Sequence, residues 1–282
     1  MSLITNTTQA NLSAMLAATQ TRLLIISRYP GQLFTDIVVP IVISAMPILL
    51  GQAIAGDNAG AVFAQTTGTA NYVAYMIIGA SVFSIVSVSF WHIANWLRWE
   101  METGTLEQIY LTPTERIWVA AGTAIYSMVR GVATALIAYV IGCLLFRVNP
   151  FQGELVLALV FILSGLIPLY SLTLLYGAII LKLKEANALI NLMQWGVAFL
   201  MGIYYPIAVL PPLAKVIALL FPPTWMTNGA RSAILGVGYF FEKWYFDLAV
   251  LWTFMVITPF IGLWVFRRVE AHVRRNEGVG TF

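Results

Sequence analysis

The sequence predicts an all-α membrane protein with six transmembrane helices, and two observations carry this. Six apolar stretches run through the chain with almost every charge between them, and each holds roughly the 20 apolar residues that cross about 30 Å of hydrocarbon as a helix. The composition is 60% hydrophobic and 10% charged, with a mean hydropathy of +0.85, where a soluble domain carries about 25% charged residues. Backbone at membrane depth finds no water, so it must pair within a helix or a closed barrel. The runs are continuous rather than alternating, which excludes the barrel. A length of 282 residues suits one membrane domain without a sizeable soluble one.

Residues 1–30 lack the basic start, apolar core and small-residue cleavage site of a signal peptide. Leu12, Met15, Leu16, Thr19, Leu23 and Ile26 fall at helical spacing, with Asn11, Gln20 and Arg22 off that face. This is the pattern of an amphipathic helix lying in the membrane interface. Tyr29-Pro30-Gly31 ends it and opens the six-span domain, expected over 31–268, with a tail over 269–282. The spans fall at 33–55, 70–97, 117–146, 155–181, 188–205 and 248–266. Pro40 and Pro47 kink the first span, and Gly56-Asp57-Asn58 begins a short polar loop after it. Between 206 and 246 the pattern breaks: Pro206, Pro211, Pro212, Pro222 and Pro223 punctuate short apolar pieces. These pieces are too short to span, so the segment reads as an extracellular re-entrant cap with a short helix around Arg231. The basic residues are richest in the N-terminal segment, in the gaps after the second and fourth spans, and in the tail. That places both termini in the cytoplasm. The pI near 9.0 is then a loop-charge effect and gives no reason to expect a nucleic-acid partner. Cys143 is the single cysteine, sits in an apolar run and reads as a packing residue.

Several chemistries are missing. The acidic residues sit at span ends or in gaps, whereas ion-driven carriers bury a carboxylate in the bundle. No GxxxxGK[ST] phosphate loop is present, so this chain does not bind ATP that way. His92 and His272 are far apart, and no His/Cys/Asp cluster has metal-ligand spacing. Uphill transport would draw its energy from another chain.

Polar residues inside the spans are the candidate site. Ser81, Ser84, His92 and Asn95 share one face of the second span. On the fifth span, Asn187, Asn191 and Gln194 share a face that continues through Ala198, Met201 and Tyr205. Such faces point at the bundle interior or a wet cavity, or they join helices by hydrogen bonds worth about 0.6 kcal/mol each. Arg130 lies near the middle of the third span. Its side chain either meets an anionic substrate group, or snorkels or bonds helix-end carbonyls. Trp91, Trp96 and Trp99, with Trp244 and Tyr245, read as interface anchors.

The gap at 98–116 is the richest polar segment. A short helix fits 105–111, stopped before Pro113, with Leu106, Ile109 and Tyr110 on one apolar face. An apolar face outside the membrane needs a partner surface. The run E-x-E-x-G-T-L-E-Q-x-x-x-T-P, from Glu100 to Pro113, resembles the signature of the type-2 permease family of ABC exporters. The interfacial first helix resembles that family's connecting helix. The G-I-Y-Y-P, L-P-P-L, F-P-P-T-W and G-A-R runs resemble its extracellular re-entrant region, so the resemblance covers nearly the whole chain. Glu100, Gly104, Thr105, Leu106, Glu107 and Pro113 match the family's coupling segment. Glu102, Ile109 and Tyr110 complete the surface expected to meet an ATPase.

The resemblance implies two permease copies working with two cytoplasmic ABC ATPase subunits. ATP and magnesium would sit on the ATPase, with no cofactor on this chain and no catalysis by it. The expected function is export of an amphiphile, such as a drug, lipid or lipid-linked glycan, by alternating access. The expected route is lined by Ser84, His92, Asn191, Gln194, Met201 and Tyr205. An ATP-independent channel or carrier is the alternative. A membrane-embedded enzyme ranks third, for want of a catalytic cluster.

Overall fold

A computed structural model describes residues 2–102, 116–183 and 186–276, and every regular element among them is helical. Ten α-helices are described: α1 (Ser2–Arg28), α2 (Gly31–Ala55), α3 (Ala59–Thr67), α4 (Tyr72–Glu102), α5 (Arg116–Leu145), α6 (Leu155–Leu183), α7 (Ala186–Met201), α8 (Pro212–Leu219), α9 (Pro222–Leu235) and α10 (Trp244–Asn276). Five stretches are long and apolar enough to cross a membrane: Gly31–Thr67, Tyr72–His92, Ala121–Leu145, Leu155–Gly177 and Trp244–Val269. The chain is a multi-pass membrane protein.

The bundle is built around α4, which packs against α2, α5, α6, α7 and α9. In its apolar stretch 83% of residues are buried, against 17% in those of α2 and α10. A helix covered on all sides must be apolar all round, and Tyr72–Phe90 is apolar apart from small serines and a glycine. Ile77, Ile85, Val86 and Phe90 of α4 form the main core with Tyr139, Leu169, Met201 and Met226. The outer helix α10 lies along α6 and α9. Gly262 faces the backbone of Ser171, where an added Cβ would sit 2.8 Å from a carbonyl oxygen, a close approach open to small residues.

At the N-terminus, the side of the helix that meets the bundle coincides only in part with the apolar face read from the sequence. α1 packs against α5. Its covered side holds Asn11, Met15, Ala18, Thr19, Arg22 and Ile26, while Leu12, Leu16, Leu23 and Leu24 are exposed. Asn11 and Arg22 therefore face the bundle rather than the opposite side. Gly122 of α5 makes the crossing close: Thr19 Oγ1 donates to the Gly122 carbonyl at 2.9 Å, and a side chain at 122 would run into Met15 and Ala18 of α1.

Three further differences have local causes. The loop expected after residue 56 forms a 3₁₀ turn and then α3, ended by Gly68 in the left-handed region at φ 75°. The fifth apolar stretch forms only the 16 residues of α7, about 24 Å at 1.5 Å per residue. Gly202, at φ 57°, breaks it before the expected end at 205. In the Pro-rich segment, α8 and α9 each open on proline, which tolerates the first helical turn because its missing N–H would be orphaned there.

α9 is buried along nearly its whole length among α4, α6 and α10. Arg231, expected at the outer surface, is 2% exposed. Its guanidinium lies 3.8 Å over the Tyr75 ring. It donates to the carbonyls of Tyr75, Gly202 and Ile203, two of them freed where α7 ends.

Candidate functional site

A cavity of about 1020 Å³ lies between α1, α2, α4 and α5, with α7 reaching one side. α2 contributes Asp36, Val39 and Ile43; α4 contributes Ser84, Ser87, Trp91 and His92 at near-helical intervals. Tyr126 and Arg130 come from α5, one turn apart, and Gln194 comes from α7.

Two polar links define this space. Arg130 Nε donates to Asp36 Oδ2 at 2.7 Å, and a second guanidinium nitrogen of Arg130 pairs with the same oxygen. The side chains are 8% and 13% exposed respectively. Asp36 lies in the second turn of α2, so Arg130 sits at the depth of that end of the bundle. Arg130 is thus a partner of a carboxylate from another span, an arrangement that its position alone did not reveal. Arg130 Nη1 also lies 3.4 Å from the Tyr126 hydroxyl. The second link joins α7 to α4. Trp91 Nε1 donates to Gln194 Oε1 at 3.1 Å, and Gln194 Nε2 donates to Ser87 Oγ. Trp91, expected as an interface anchor, is engaged inside the bundle.

The expected route residues divide. Ser84, His92 and Gln194 line one cavity. Ser84 is buried and its hydroxyl is bound to the Ser81 carbonyl at 2.7 Å. The His92 ring lies 5.3 Å from that of Tyr126, and its Nε2 is buried with no hydrogen-bond partner among the described residues. The other three lie elsewhere. Asn191 is exposed on the outer side of α7, Met201 is packed in the main core, and the Tyr205 hydroxyl donates to the Phe199 carbonyl at 2.8 Å. Asn191 and Gln194 differ by 60° around the helix axis, enough for one to face the cavity while the other faces away.

Sequence reasoning missed Arg22, Asp36, Ser87 and Trp91 as cavity residues. The available signal was a lone Asp in one apolar span and a lone Arg in another, since ionisable residues in membrane helices tend to pair. In the coupling segment, Glu100 and Glu102 fall on the last turns of α4. Gly104, Thr105, Leu106, Glu107, Ile109, Tyr110 and Pro113 lie outside the described residues.

No group of three or more His, Cys, Asp or Glu among the described residues could hold a metal ion. The cavity, with charged, polar and apolar lining, lies among the membrane helices. The family model of the ABC-2 type transporter matches residues 13–235, and the chain belongs to that family. No curated protein matches the sequence. ABC-2 permeases are transport components rather than catalysts, and they work in general with ABC ATPase partners.

Proposed function

We propose that this chain is the membrane subunit of an ABC exporter that moves an amphiphile by alternating access. In this reading a homodimer of permeases recruits two cytoplasmic ATPase subunits, which bind ATP and magnesium. The domain has six spans, with α7 as the short fifth. α1 is the connecting helix at the cytoplasmic interface, 98–116 is the coupling segment, 206–246 the outer cap and 269–282 the cytoplasmic tail. The observation that carries the reading is the mixed lining of the cavity. Arg130, Asp36, His92 and Gln194 share it with Ile43, Phe83 and Val88, and a molecule with a polar head and an apolar body suits both chemistries. The twin copy would pair along α7, where Leu192, Trp195 and Phe199 are exposed. Asn191 on the same side of α7 adds a polar group that a twin helix would satisfy.

The test is affinity purification of the tagged permease from membranes of its source cell. The expected result is co-purification of an ATP-binding subunit in a one-to-one ratio. A permease that transports in proteoliposomes without such a subunit is a channel or carrier, and the proposal fails.

A further inference from the structure

We infer that a slot between α5 and α6 holds one acyl chain of a bilayer phospholipid. The slot is separate from the cavity beside Arg130, and the inference does not depend on the transport reading.

α5 and α6 follow each other in sequence, yet each is drawn to a different neighbour. Gly131 and Gly142 bring α5 against Ile85 and Ile77 of α4. Gly165 brings α6 against Met226 of α9, and the Phe161 ring fills the space that Gly229 of α9 leaves open. The connection between the two helices follows α6. The Glu154 N–H donates to the Ala233 carbonyl at 2.8 Å, and Gly153, at φ 67°, sits against Ala233 and Ile234. α5 and α6 meet at the end away from this connection, where Ala124 clusters with Tyr170 and Leu174. Toward the connection they part, and a slot of about 230 Å³ opens between them.

The slot is deep and faces the bilayer. Ile78, Val82 and Ile85 of α4 form its floor, each 2% exposed or less. Leu136 of α5 and Leu159 of α6 stand at its rims, 44% and 36% exposed. All three helices contribute from stretches apolar and long enough to cross a membrane. Pro150 and Phe151 of the connection end the slot, so a headgroup would stay at that end, beyond the apolar stretch.

The geometry selects the occupant. Among the described lining residues only Ser81 and Tyr139 carry polar side chains, and the Tyr139 hydroxyl already donates to the Pro150 carbonyl at 2.9 Å. Water needs about two to four polar partners to stay in a cavity, so it is a poor filler here. A second helix, about 10–12 Å across, cannot reach a floor so little exposed. Left empty, the slot would cost its lining residues their dispersion contacts on one side. A polymethylene chain is thin, flexible and apolar, and the surrounding bilayer supplies it.

The experiment uses the whole permease in dioleoylphosphatidylcholine vesicles, doped with a trace of the same lipid carrying a diazirine in one acyl chain. Light inserts the chain into neighbouring C–H bonds, and peptide mapping reads where. Bulk lipid should label exposed positions such as Val256 and Phe260 of α10. A chain resident in the slot should also label residues 78–85 of α4, which bulk lipid does not reach. Ala158→Phe and Ala135→Leu fill the slot from opposite walls. Each should cut α4 labelling about tenfold, roughly 1.4 kcal/mol of occupancy, and leave α10 labelling unchanged.

Labelled α10 with unlabelled 78–85 overturns the inference. So does unchanged α4 labelling in the folded slot-filling variants, since the chain would then reach α4 by another path. Where a variant does not fold, the labelling pattern of the parent still decides.

Discussion

Arg130 on α5 and Asp36 on α2 are bound to each other, with Nε to Oδ2 at 2.7 Å, so two charges from different membrane helices neutralise one another beside the cavity. Each charge alone costs roughly 2.5–3.5 kcal/mol at a helix centre on insertion scales. Paired, they fasten the first span to the third. Removing one partner strands the other, which costs about 3 kcal/mol for a buried pair, whereas replacing both by apolar residues is often neutral. Asp36→Leu and Arg130→Met should each lower the unfolding temperature of the purified protein, and the double variant should recover most of the loss. Single variants as stable as the parent would show that the pair contributes nothing to the fold.

Arg231 fastens a different region. It bridges Tyr75 of α4 to the carbonyls left open beyond α7, from within α9. Lysine has neither the planar fork nor enough fixed donors to reach three carbonyls, and each stranded buried acceptor costs about 1–3 kcal/mol. Arg231→Lys should destabilise the protein by about 2–3 kcal/mol. It should also raise protease cleavage within 206–246, because the segment loses its tie to the bundle. Gly79→Ala should act alike, since a methyl there meets the Arg231 guanidinium and the Ile203 carbonyl. Unchanged proteolysis in both variants would contradict this role.

The apolar spans were legible in the sequence because lipid leaves a backbone few options. Every expected span has a helix at its place, within a few residues at most ends. What was not legible depends on which neighbour covers which face. Asp36 and Arg130 are 94 residues apart, and nothing local announces their meeting. Helical spacing put Asn191 and Gln194 together, but packing against α4 turns only Gln194 inward. Arg231 looked like a surface charge because its carbonyl partners appear only once Gly202 breaks α7. α1 was read as an interfacial helix with Leu12, Met15, Leu16, Thr19, Leu23 and Ile26 on one apolar face, and nothing in that pattern announced that Gly122 admits its backbone on the side of Met15, Ala18 and Thr19. In each case a tertiary contact decided what periodicity could only narrow.

The coupling segment offers the most direct test of the ATPase partnership. Leu106→Asp would bury an unpaired charge in the proposed contact, a loss of several kcal/mol. The ATPase subunit should then no longer co-purify, while the permease itself stays folded in the membrane. Full retention of the ATPase, with full transport, would remove 98–116 from that interface.

Gln194 decides between a route and a joint. Its amide is held by Trp91 at 3.1 Å and reaches Ser87, so it ties α7 to α4, and it also lines the cavity. As a joint, it contributes two interhelical hydrogen bonds of about 0.6 kcal/mol each. Gln194→Leu would then lower stability by about 1 kcal/mol and leave the range of transported amphiphiles unchanged. As part of the route, the same substitution replaces a head-group contact with a methyl-bearing surface, and the ranking of cargoes by rate should change. Ser87→Ala separates the two effects. It removes one of the same hydrogen bonds but leaves the amide and its acceptor oxygen in the cavity. The proposal predicts a smaller loss of melting temperature in Ser87→Ala, which keeps the Trp91 bond, and an altered cargo ranking in Gln194→Leu alone. The measurement is ATP-dependent uptake of a panel of anionic, neutral and cationic amphiphiles into inverted vesicles. Identical rankings for the parent, Ser87→Ala and Gln194→Leu would assign Gln194 to helix packing and move the route elsewhere in the bundle.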